Sequence, residues 1–292
     1  MARCTLAVEA PFSLEITVLV LRRLPSNIVD RWEDGTYTRV LDVGPVGVDP
    51  YVVRVRQLDD HTLEVSADGR PEEAIPSLRS LLGLDVDPAR LAEAIEAEPR
   101  LRVVYERVAG LRPPRFPSLF ETIGMTIPFQ QVSLAAGQSI ANRVVERFGR
   151  SRGDSWLFPL PEAIAAALPD ELRACGLSEA KSRTLQTAAE MILDGRLAEA
   201  DLLGLSSVEL IERLDAMPGI GPWTAGVIAL RGLGRLDVFP RGDVGARRLL
   251  AQLLGLPAPL TESEESALLD RLGPTRGFVY FLGLAASRLD VV

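Results

Sequence analysis

Apolar and polar positions alternate with period two over residues 3–9, 37–43, 51–56 and 62–67, and Gly, Pro and Asp separate these stretches. Such alternation predicts strands with one buried face, and residues 13–24 between the first two read as a helix. The string Ala67-Asp68-Gly69-Arg70-Pro71 then reads as the turn that leaves the sheet. Beyond it the period becomes helical. Leu134, Gly137, Ala141, Val144, Val145 and Phe148 share one stripe, and Gly149 stands where that helix can end. Ser118 with Glu121, Ser206 with Glu209 and Thr261 with Glu264 have capping-box spacing, which predicts three helix starts. The pattern therefore predicts an α+β chain. A small antiparallel-sheet N-terminal domain, residues 1–70, precedes a mostly α-helical body, residues 71–292.

Composition narrows the chemistry. The chain has 292 residues, 47% of them hydrophobic, enough for a sizeable core. The apolar run 14–24 is interrupted by Glu15, Arg22 and Arg23, so neither a membrane span nor a signal peptide is expected, and the expectation is a cytoplasmic protein. Two cysteines, Cys4 and Cys175, and one histidine, His61, are too few for a structural zinc site or an iron–sulfur cluster. A net charge of −8 argues against an anionic partner, but the charge is segregated. Residues 57–98 carry eleven acidic side chains against three arginines; residues 99–115 and 218–250 are each basic, with five arginines apiece. Those windows are either a face for a polyanion or solvated helix surface. Lys181 is the only lysine.

The most informative stretch is Asp215-Ala216-Met217-Pro218-Gly219-Ile220-Gly221-Pro222-Trp223-Thr224-Ala225. A helix over 208–216 runs into Pro-Gly-Ile-Gly, and a second helix starts at once. Two glycines two apart let the backbone turn with its amides outward at a helix start, an arrangement suited to phosphate oxygen. A tight helix turn without a ligand would use the same residues. Twenty residues after Trp223 comes Asp243, in Phe239-Pro240-Arg241-Gly242-Asp243, where a carboxylate serves either as a helix cap or as a catalytic group.

The hairpin string, the following Gly/Pro-rich loop and its aspartate resemble the helix-hairpin-helix DNA glycosylase superfamily. Within it, Phe-Pro-Arg-Gly-Asp, the Trp of the hairpin and Ala229-Leu230-Arg231-Gly232 are similar to the bacterial DNA-3-methyladenine glycosylase II family. Pro128-Phe129-Gln130-Gln131-Val132-Ser133, Phe158-Pro159-Leu160-Pro161-Glu162 and Cys175-Gly176-Leu177-Ser178-Glu179-Ala180-Lys181 also match its order, and Tyr37-Thr38-Arg39 with Val43-Gly44 resembles its sheet domain.

The resemblance implies a helix-hairpin-helix glycosylase body with the hairpin at 208–232. Asp243 would be the catalytic carboxylate. Trp223, Gln130 and Leu284 would line the base pocket, with Leu284 standing where familiar members have a second tryptophan. Gly219, Gly221 and Thr224 would meet backbone phosphate, and Gln131 would wedge into the gap left by an extruded nucleotide, a polar residue where an apolar one is usual. Main-chain carbonyls of Asp215, Met217 and Ile220 would hold a structural Na⁺ or K⁺; the chemistry itself requires no cofactor. The expected partner is double-stranded DNA with alkylated bases, bound by a monomer. Related bifunctional enzymes carry a Schiff-base lysine where Trp223 stands, so the resemblance implies base release without strand nicking. The competing reading is a non-catalytic helix-hairpin-helix module that binds DNA or a damaged base.

Overall fold

The computed structural model describes residues 1–44, 48–242 and 244–290. Five antiparallel strands, β1 (Ala2–Ala7), β2 (Arg31–Glu33), β3 (Thr36–Leu41), β4 (Tyr51–Asp59) and β5 (Thr62–Ala67), lie in the order β1-β5-β4-β3-β2. In β5 the alternation predicts burial directly: Leu63, Val65 and Ala67 are buried while their neighbours are partly exposed. The register pairs Val55 with Val65 and Gln57 with Leu63, after which a shift next to Asp59 lets the strand pair end.

Helix Leu14–Arg22 covers β2 and β3, and helix Pro71–Leu81 covers β1 and β5. The first starts at Ser13, whose hydroxyl accepts the Ile16 amide. Its apolar face buries Leu14, Val18 and Leu21, each worth ~1.5–3 kcal/mol against exposure. The other face of β3 is buried too, because a second hairpin, β6 (Arg150–Arg152) and β7 (Ser155–Leu157), packs on it through Leu157 against Val40 and Val52. Both β2 and this hairpin are additions to the sequence expectation, since three-residue strands are too short to show a period.

The rest is helical, and the main core runs without a break from Leu6 of the sheet to Val238 of the body. A second cluster gathers around helices Glu262–Leu272 and Phe278–Arg288, and the latter packs on Leu14–Arg22. Capping boxes at Ser206/Glu209 and Thr261/Glu264 are complete. At Ser118 the expectation needs correcting. Its hydroxyl accepts the Glu121 amide at 3.1 Å, but the Glu121 carboxylate does not return to the cap. It pairs instead with Arg39 of β3, which also pairs with Asp30. All three side chains are buried, so the sheet and the body share one ion-pair network. Burial raises the Glu121 pKa, with the Arg39 charge acting against that rise.

Among the described residues no helix is long and apolar enough to cross a membrane.

Candidate nucleic-acid interface

The hairpin is built from helix Ser207–Asp215, a turn, and helix Pro222–Val227, which continues into a π-helical turn at Ile228–Gly232. In the turn, Ile220 N–H donates to the Met217 carbonyl at 3.1 Å, and Gly219 has a φ of +83°. Only glycine adopts that conformation without strain, and a Cβ here would lie 1.9 Å from the Thr184 hydroxyl oxygen. Gly221 differs. Its backbone is extended, and a Cβ there would meet nothing within 4 Å. Among the described residues neither glycine amide is used in a hydrogen bond, so both remain available at the start of the second helix.

Gln130 joins this turn to a second loop. Its side-chain amide donates to the Gly219 carbonyl at 3.0 Å and to the Thr224 hydroxyl at 2.9 Å. Thr224 is therefore buried, with its hydroxyl accepting from the Gln130 loop. Next to Gln130, Gln131 is exposed and has a φ of +55°, an uncommon conformation for a residue with a side chain. Val132 and Leu134 are exposed beside it, and Ser133 caps helix Leu134–Phe148 by accepting the Ala136 amide. The Gln130 loop and the hairpin thus meet at one place.

Trp223 is half-buried on the main core cluster, whereas Leu284 is half-buried on the second. Asp243 lies outside the described residues; the described chain resumes with helix Val244–Leu253. The carbonyls of Asp215, Met217 and Ile220 fall within one turn, and Met217 already accepts one amide, leaving a second lone pair.

The basic windows divide: Arg112, Arg115, Arg231 and Arg235 turn inward, whereas Arg100, Arg102, Arg107, Arg241 and Arg248 are exposed. Arg112 donates to the Glu9 carbonyl, Arg115 to that of Gly232, and Arg235 to those of Leu203 and Leu205. Arg231, in the π-helical turn, is fully buried over the Phe116 ring and donates to the Val20 and Leu21 carbonyls. Burial, with the Arg23 charge adding to it, pulls its pKa down to about 9. Arg241 and Arg248, flanking the Asp243 position, remain exposed.

The contacts of two groups were not foreseen from the sequence. Arg23 stacks over Phe129, one residue before Gln130, at 4.8 Å from the ring centroid. Lys181 donates to the Pro128 and Gln130 carbonyls. Being the only lysine was a signal for Lys181; nothing local in the sequence marks Arg23.

Comparison with known proteins agrees with this geometry. The family model of the HhH-GPD superfamily base excision DNA repair protein matches residues 125–274, which hold the Gln130 loop and the hairpin. A Mycobacterium tuberculosis protein named as a probable bifunctional transcriptional activator/DNA repair enzyme AlkA is 35% identical over 265 residues. That match takes in 87% of this chain and 51% of the other, so the chain spans about half the length of that relative. The DNA-3-methyladenine glycosylase 2 of Escherichia coli is 30% identical over 223 residues, 74% of this chain and 75% of that one. Among solved structures, the 3-methyladenine DNA-glycosylase from Archaeoglobus fulgidus superposes over the full length of both chains, with a TM-score of 0.82 and 26% identity. An 8-oxoguanine glycosylase/lyase of Clostridium acetobutylicum, at 17% identity and a TM-score of 0.76, shares the fold. From its family match and its relatives, the chain belongs to the HhH-GPD superfamily of base excision DNA repair proteins.

Proposed function

We propose that the chain is a monofunctional DNA glycosylase that extrudes alkylated purines from double-stranded DNA and hydrolyses their N-glycosidic bond, leaving an abasic site. The observation that carries this reading is the Gln130 amide held by Gly219 and Thr224, which joins an exposed loop to a hairpin with free amides in a chain of this family.

In the mechanism that follows, the Gly219 and Gly221 amides and the Thr224 main chain hold a backbone phosphate, while Gln131 fills the gap in the base stack. Extrusion costs a few kcal/mol, least at damaged pairs. The extruded base stacks on Trp223, a contact worth ~1–3 kcal/mol. The carboxylate of Asp243 then stabilises the positive charge that grows on the sugar as the C1′–N bond lengthens, and orients the water that adds to C1′. The base leaves with the bonding electrons. An alkylated purine already carries positive charge and departs neutral, so no histidine or other general acid is needed. The carbonyls of Asp215, Met217 and Ile220 suit a hard monovalent cation, which would stiffen the turn.

Strand nicking by Schiff-base chemistry needs a free amine near C1′. The only lysine of the chain is on another helix, with its ammonium donating to two carbonyls, which supports base release alone. With Leu284 in place of a second aromatic, selectivity rests on leaving-group lability: 3-methyladenine and 7-methylguanine should be released well and neutral hypoxanthine poorly. Single-turnover assays on duplexes with one defined lesion, scored for free base and for strand breaks with and without alkali, test this. Hypoxanthine released as fast as 3-methyladenine would contradict the selectivity argument, and breaks without alkali would contradict the monofunctional assignment.

A further inference from the structure

Lys181 stands in the first turn of helix Glu179–Leu193, where its ammonium reaches the Gln130 carbonyl at 2.7 Å and the Pro128 carbonyl at 3.2 Å. These carbonyls lie three residues and one residue before Gln131, whose left-handed backbone is the conformation that surroundings must impose on a residue with a side chain. On the other side Ser133 is fixed as a helix cap, and the Gln130 side chain is pinned to the hairpin. Gln131 is therefore held at both ends and exposed between them. Three residues along the same helix, Thr184 fills the space over Gly219, so one helix face touches both the loop and the hairpin turn. Burial lowers the Lys181 pKa, as expected of a charge committed to the protein instead of to solvent.

We propose that Lys181 is a positioning residue for nucleotide extrusion: by gripping the Pro128 and Gln130 carbonyls it keeps Gln131 aimed out of the loop and in register with the hairpin. The proposal rests on the glycosylase reading above. A lysine suits the task because its three donors radiate from one compact centre and can serve two carbonyls on one loop. It differs from a phosphate contact, in which the ammonium would face DNA and contribute to salt dependence.

The test compares the full-length wild type with Lys181→Met and Lys181→Arg. Single-turnover release of 3-methyladenine is measured from a matched duplex and from one with an abasic analogue opposite the lesion, where no pair must be broken. Fluorescence of 2-aminopurine beside the lesion reports extrusion independently of bond cleavage. Lys181→Met should slow release roughly tenfold on the matched duplex and lose the fluorescence rise, yet stay within about twofold of wild type on the pre-opened one. Lys181→Arg, which keeps charge and donors, should recover most of the matched-duplex rate, and the salt slope of binding should not change. Equal losses on both duplexes, an unchanged rate on the matched one, or a salt slope reduced by about one would each overturn the proposal. If the wild type gives a fluorescence rise but no free base, the glycosylase reading fails while the fluorescence of the variants still decides the role of Lys181. A wild type that gives neither refutes both.

Discussion

Gly219 and Gly221 are two residues apart in one turn, yet substitution should separate their duties. Alanine at 219 meets both a positive φ and the Thr184 hydroxyl, so Gly219→Ala should destabilise the fold by about 1–3 kcal/mol in chemical denaturation. Alanine at 221 meets open space and should leave stability within about 0.5–1 kcal/mol of wild type. If the Gly221 amide meets phosphate, that same methyl should weaken binding to damaged and undamaged duplexes alike; unchanged affinity would remove the hairpin as the anchor. The two glycines look equivalent in Pro-Gly-Ile-Gly, because the clash that distinguishes them comes from Thr184, on a helix 35 residues earlier in the chain. Gln130 shows the same limit. The family resemblance implied a pocket position for Gln130 near Trp223, but its bonds to Gly219 and Thr224 depend on side-chain reach that spacing does not encode.

Between elements, buried charge does the joining. Arg39 of β3 pairs with Asp30 and with Glu121 of helix Leu119–Gly124, and removing the guanidinium would strand two buried carboxylates. Arg39→Met should therefore cost about 3–5 kcal/mol, read as a lowered denaturation midpoint. A loss below about 1 kcal/mol would mean that the carboxylates find other partners. Glu98 makes a similar join near the surface. Hydrogen bonds from Arg100 and Arg271 draw its pKa down from the usual 4.5 to about 2, against the opposing effect of burial. A carboxylate whose folded pKa is depressed stabilises the fold above its unfolded pKa, and that stability is lost as pH falls from about 4.5 towards 2. Both arginines are about half exposed, so screening limits the effect to roughly 1–2 kcal/mol. Thermal melts from pH 6 to pH 3 should show Glu98→Gln losing less stability on acidification than wild type; parallel curves would contradict this. Neither join was legible in the sequence. The alternation of β3, β4 and β5 and the apolar stripe of helix Leu134–Phe148 were, because burial on one face repeats at the period of the element. The Ser118-x-x-Glu121 spacing predicted a reciprocal cap, but a buried arginine 82 residues away in sequence draws the carboxylate elsewhere.

For the molecule as a whole, an acidic total of −8 coexists with membership of a DNA repair superfamily. Part of the resolution is that net charge says little about where charge faces. Four arginines of the two basic windows serve main-chain carbonyls inside the fold, while Arg100, Arg102, Arg107, Arg241 and Arg248 stay exposed, the last two close to Asp243 in sequence. Arg241→Ala and Arg248→Ala should each reduce the slope of log affinity against log salt by about one, with little change in stability. The central claim, that this chain breaks the glycosidic bond and does so through Asp243, has a direct test. Wild type and Asp243→Asn are compared in single-turnover release of free 3-methyladenine from a duplex carrying that one lesion, with binding to an abasic duplex measured in parallel. Asparagine keeps the shape and a capping oxygen but not the charge. The account predicts rapid release by the wild type, no detectable release by the variant, and similar abasic-duplex affinity for both. Release by Asp243→Asn at near the wild-type rate would contradict it.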